Sequence, residues 1–166
     1  MIQTIIMGLV AGCLGTIAMD RFAQVLVQNK VVNLQGLQIV PPLLARWFFY
    51  IVRDFKFVFS DIRQVPAKNK EFRVGMICHY AIGAFLGVLY GFLFQRAFIV
   101  NGALYGFATN AFPWLMMYPA MGFGFFANRL PAQKDVLKFS FINHIVYGLV
   151  VGLVFEIGCL LLSARS

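Results

Sequence analysis

Four stretches of the chain stay apolar for longer than a soluble helix needs. They run over residues 2–27, 74–98, 100–126 and 137–162. A helix crosses the hydrocarbon of a bilayer in about 20 residues. None of the four alternates polar and apolar positions, so they predict helices rather than barrel strands. The long connector after the first stretch carries a different pattern. Leu37 to Phe59 is rich in Leu, Trp, Phe and Tyr but is interrupted by Arg46, Arg53, Asp54 and Lys56. Pro41-Pro42 stands where a helix would start. Residues 42–59 therefore predict an amphipathic helix in the membrane interface, with basic groups toward lipid phosphates. Residues 60–73 are polar and predict a loop. The pattern as a whole predicts one all-α membrane domain: four transmembrane helices as two tandem helix hairpins, plus the interfacial helix.

The second and fourth stretches match each other. His79-Tyr80-Ala81-Ile82-Gly83 and His144-Ile145-Val146-Tyr147-Gly148 each place a glycine four residues after a histidine. A further glycine follows at Gly87 and Gly152, and an aromatic at Tyr90 and Phe155. These are the only two histidines of the chain. Thr16-Ile17-Ala18-Met19 and Thr109-Asn110-Ala111-Phe112 give a weaker match between the first and third stretches. The expectation is a parallel duplication of one hairpin. Gly8 and Gly12, Gly83, Gly87 and Gly91, Gly102 and Gly106, and Gly148 and Gly152 form small-residue stripes. In lipid such stripes predict close helix–helix contact.

Composition strengthens this picture. Apolar residues make up 61% and charged residues 12%, against about 25% charged in soluble domains. The net charge of +8 is a matter of topology. Eleven Lys and Arg lie in the two connectors on one side, and only Arg96 and Arg165 on the other. The positive-inside rule then places both termini outside the cytoplasm, with anionic lipid at the cytoplasmic face. A nucleic-acid partner is not expected, because no basic helix or aromatic RNA platform is present. The first stretch lacks the basic start of a signal peptide. Val10-Ala11-Gly12-Cys13 looks like a lipoprotein box, but the apolar run continues past it, so a retained helix is expected. Cys13, Cys78 and Cys159 predict buried apolar thiols, without metal-like spacing.

His79 to Gly83, Tyr118 to Pro131 (YPAMGFGFFANRLP) and Asn143 to Gly148 (NHIVYG) together resemble a bacterial family of small inner-membrane proteins, catalogued as domain of unknown function 2938. Ala45-Arg46-Trp47 is similar to the Gly-Arg-Trp of that family, while the glycine-rich turn of its first connector is missing. The resemblance implies the membrane class and no activity.

Polar groups inside a bilayer are expensive, and each is a functional candidate. Asp20 and Arg21 close the first stretch, and His79 and Tyr80 open the second. His144 lies early in the fourth, and Arg129 follows the third. The topology gathers all six in the cytoplasmic half. Asp20, His79 and His144 form a titrating cluster in the leading reading, a small transporter or channel-like protein. No cofactor is expected there. An alternative is a bis-histidine haem or electron-transfer protein with His79 and His144 as axial ligands. A lipid head-group enzyme lacks paired carboxylates, a nucleophile motif or a metal-ligand box. In the remaining reading the protein is a non-catalytic assembly or scaffold subunit. The histidines then bond across helices, as would Asn110, Thr109 and Asn143. A homo-oligomer is compatible with all of these, and Glu156 is expected either to pair with Arg96 or to face such a contact. The Pro119–Gly124 turn is expected to break the third helix near its cytoplasmic end.

Overall fold

The computed structural model describes residues 1–34, 39–94 and 99–163. The described residues are helical, without strands. Helix α1 spans Ile2–Gln28. Helix α2 is Leu44–Asp54, entered through a π-helical turn at Ile39–Leu43. Helix α3 is Glu71–Leu93 and α4 is Ile99–Thr109. The short α5, Tyr118–Ala120, follows a π-helical turn at Pro113–Met117. Helix α6 is Gln133–Ser163.

Among the described residues, three helices are long and apolar enough to cross a membrane: α1, α3 and α6. The third expected span is not one continuous helix. Its regular part stops at Thr109, and Asn110 sits in a turn. Pro113, which has no N–H to give to the helix ladder, opens the wider π-helical turn that leads into α5. The α-helix ends at Ala120, and only a 3-10 turn at Phe125–Ala127 follows before α6. Residues 121–131, which include the tail of the expected span to residue 126, form turns that pack on the first connector.

Helix α1 lies between α3 and α6, and α4 packs on the other side of α6. Helices α3 and α6 barely meet, as expected for elements placed diagonally. Glycines explain the two tight interfaces. A Cβ on Gly12 would overlap the carbonyl oxygen of Gly83, and one on Gly87 that of Gly8. In the second pair, a Cβ on Gly148 would overlap the carbonyl oxygen of Gly102, and one on Gly106 that of His144. Backbones this close replace the hydrophobic drive that lipid does not supply. The contact register differs from the sequence match. Against the first helix of its hairpin, His144 takes the place of Gly83, one turn on from His79.

Two apolar cores result. One fills the bundle, with Ala11, Tyr90, Tyr105, Tyr147, Val151 and Phe155. The other lies at the connector end and joins Trp47 of α2, Phe59 and Ile62 of the loop, and Met117 to Leu130. Here the expected interfacial helix is shorter than 42–59. Phe55 stops it in the left-handed region (φ 49°), with Lys56 N–H donating to the Tyr50 carbonyl at 3.0 Å. Its Arg46 does not point to lipid phosphates. The guanidinium turns inward and grips Glu71 through two bonds of 2.8 and 2.9 Å. It also donates to the Ile62 and Val65 carbonyls at 3.3 and 3.1 Å. Trp47 Nε1 donates to the Phe57 carbonyl at 2.8 Å.

The Pro119–Gly124 turn is part of the same cap. Phe59 and Ile62 N–H donate to the Ala120 and Met121 carbonyls at 2.8 and 2.9 Å. Gly122 has φ +88°, and a Cβ there would overlap the Ser60 carbonyl oxygen. Gly122→Ala should cost about 1–2 kcal/mol from the left-handed backbone alone, with the overlap added. Limited proteolysis should then cut the 55–70 connector several times faster than in the wild type. Unchanged cleavage would show that the turn does not hold the connector.

Candidate functional site

Asp20 is the last carboxylate-bearing position of α1, and His79 lies two turns into α3. The glycine crossing at Gly12 and Gly83 sets the register that brings them together. His79 Nε2 is 3.0 Å from Asp20 Oδ1. The histidine side chain is 15% exposed and the carboxylate 31%, so the pair sits at the edge of the α1–α3 interface. Tyr80 stands edge-on to the His79 ring at 5.9 Å, and its phenol interacts with the Asp20 carboxylate and the Arg21 charge. Four of the six expected site residues, Asp20, Arg21, His79 and Tyr80, thus form one cluster.

His144 is held differently. Its Nδ1 is 2.8 Å from the carbonyl of Ser140, one turn back in its own helix. The expected bond from His144 across to another helix is not the one observed. The cross-helix bonds of the second hairpin come from its neighbours instead. Ser140 Oγ donates to Asn110 Oδ1 at 2.8 Å, and Trp114 Nε1 reaches Ser140 Oγ at 3.2 Å. Asn110 Nδ2 caps the Gly106 carbonyl at 3.2 Å, which fills the gap left where α4 breaks. Asn110, Ser140 and Asn143 are all buried. In the contact register that pairs Gly12 with Gly106, Trp114 occupies the position of Asp20. The second hairpin therefore has no carboxylate to offer its histidine.

Arg129 is not brought to the cluster. It is exposed on the turn before α6, with its N–H donating to the Phe123 carbonyl at 2.9 Å. An open cleft of about 410 Å³ lies beside that turn, lined by Asn33 and residues 130–135. It contains neither histidine. The Nε2 of His79, a nitrogen that would serve a haem iron, is engaged with Asp20. Among the described residues no group of three His, Cys, Asp or Glu could hold a metal ion. The expected partner of Glu156, Arg96, lies outside the described residues.

Sequence reasoning missed three contributors. Ser140 links α6 to the break in the third stretch. Arg46 and Glu71 join α2 to the foot of α3. For Arg46 the signal was present, because Ala45-Arg46-Trp47 is one of the motifs carrying the resemblance. Ser140 gave none, since a serine in an apolar helix most often bonds within its own turn.

No curated protein and no solved structure matches the chain. A family model does, over residues 5–158, a match that takes in the Asp20–His79 cluster, the Arg46 clamp and the Pro119–Gly124 turn, so the chain belongs to the family of proteins of unknown function designated DUF2938.

Proposed function

We propose that this protein is a small transporter-like or channel-like protein of the bacterial inner membrane, working by proton exchange at Asp20 and His79. Four membrane crossings are part of the proposal, with the broken 99–120 segment as the third and the connectors in the cytoplasm. The reading rests on one observation: an acid and a histidine on different apolar helices, 3.0 Å apart and partly accessible. Such a pair is costly in a bilayer and is retained where charge must move. Histidine changes charge near neutral pH, and a carboxylate at hydrogen-bond distance can share its proton. The interrupted helix of the same bundle, with its Asn110–Ser140–Trp114 bonds, is the kind of irregular backbone that membrane proteins keep next to a pathway.

The test is charge displacement on a solid-supported membrane after a pH jump, which detects intramembrane protonation without a known substrate. Wild-type vesicles should give a transient that Asp20→Asn and His79→Ala reduce by about tenfold or more. Transients no larger than those of empty vesicles, or unchanged by both substitutions, would sink the reading. A purely structural assembly subunit would instead lose melting temperature on these substitutions and show no transient.

A further inference from the structure

The bundle carries a second set of polar groups, at the end opposite the connectors. Tyr90 of α3 is fully buried, yet its hydroxyl has no hydrogen-bond partner. Buried hydroxyls are normally satisfied, and one left unpaired in a close-packed core is costly. Three rings enclose it: Phe94 at 4.9 Å, Tyr105 of α4 at 5.2 Å and Phe155 of α6 at 5.4 Å. Glu156 follows Phe155 on α6, at the level of the same ring cluster. An acid near the far end of an apolar spanning helix is the other group here that packing alone does not explain.

Between this end and Asp20–His79 stand two more tyrosines. Tyr147 of α6 donates to the Gly83 carbonyl at 2.6 Å, one turn on from His79. Tyr105, in the same core cluster as Tyr147, donates to the Leu86 carbonyl at 2.7 Å, about one turn along α3 from Gly83. Each hydroxyl oxygen keeps lone pairs that can accept another proton. The order along the bundle is therefore Asp20–His79, Tyr147, Tyr105, Tyr90, Glu156, with groups from all four helices.

Building on the proton-exchange reading, we propose that Glu156 and Tyr90 form the far-side proton station of the same pathway, joined to Asp20–His79 through Tyr105, Tyr147 and intervening water. Glu156 takes a proton from the far side and becomes a neutral carboxylic acid. The proton passes as each hydroxyl oxygen or water accepts one proton and releases its own. It ends on the Asp20–His79 pair, and Glu156 is again a carboxylate. No bond between heavy atoms changes and no electron moves.

The same pH-jump transient tests this, in vesicles of single orientation acidified on the Glu156 side. Glu156→Gln and Tyr90→Phe should each slow the transient about tenfold, while Asp20→Asn removes its amplitude. Tyr90→Phe should melt no lower than the wild type, because the hydroxyl it removes bonds to nothing. That separates a slowed transient from a damaged fold. A wild-type transient with unaltered time course in both far-side variants would overturn this station and leave the Asp20–His79 reading standing. A wild-type signal equal to that of empty vesicles would overturn both.

Discussion

Gly148→Ala is expected to loosen the α4–α6 interface and lower the melting temperature in detergent. The added methyl would overlap the Gly102 carbonyl oxygen, with Gly106 N and Cα at 2.6 and 2.7 Å. All three are backbone atoms, so no side chain can swing away, and the helices must move apart. Overpacking of this kind costs about 1–3 kcal/mol, which for a chain of this size is a fall of roughly 2–12 °C. Gly87→Ala should do the same to the α1–α3 interface, where the neighbours are Gly8 and Gly12 backbone atoms. Gly158→Ala is the control. There the methyl would meet only the flexible end of Met7, and the helix gains roughly 0.8–1 kcal/mol of propensity when glycine is replaced by alanine. Thermal unfolding of the three variants followed by circular dichroism decides the matter. If Gly148→Ala melts with Gly158→Ala, the close backbone approach does not hold the bundle together.

That contrast also marks what could be read from the chain. The stripes at Gly8/Gly12, Gly83/Gly87, Gly102/Gly106 and Gly148 were legible because an i, i+4 spacing defines a helix face whatever its partner. The length of an apolar run was legible for the same reason, and it located α1, α3 and α6. It misjudged the third stretch. Apolar composition does not register the loss of a backbone donor at Pro113, or the side-chain cap that Asn110 supplies in its place. The clustering of Asp20, Arg21, His79 and Tyr80 followed from depth alone. The matching of His79 with His144 did not carry into geometry, because identity of spacing within one helix says nothing about the neighbouring helix. Asp20 faces His79, while Trp114 holds the corresponding place in the second hairpin. Basic residues in the connector read as lipid ligands when their acid partner is distant in sequence. Arg46 and Glu71 are 25 positions apart, and no local pattern joins them.

Arg46→Ala is expected to be the most damaging single change at the connector end. The Arg46 and Glu71 side chains are 11% and 8% exposed. Removing the guanidinium leaves a carboxylate nearly out of water, with one backbone N–H, that of Lys68, still donating to it. Breaking one partner of a buried pair costs about 3–5 kcal/mol. The loss spreads further here, because the same guanidinium holds the Ile62 and Val65 carbonyls. With them it fixes the loop on which the Pro119–Gly124 turn docks. Arg46→Lys should recover only part of the stability, since an ammonium cannot span both carboxylate oxygens and two carbonyls at once. The decisive comparison is the double variant Arg46→Leu, Glu71→Leu. With both charges gone and the volume kept apolar, desolvation no longer penalises the folded state, so this variant should melt above Arg46→Ala. Its connector, however, should be cut faster by protease than that of the wild type, because the Ile62 and Val65 carbonyls then lose their bonds to α2. A double variant less stable than the single one would mean that the ion pair is itself a net source of stability, and that the carboxylate left behind is not what makes Arg46→Ala costly.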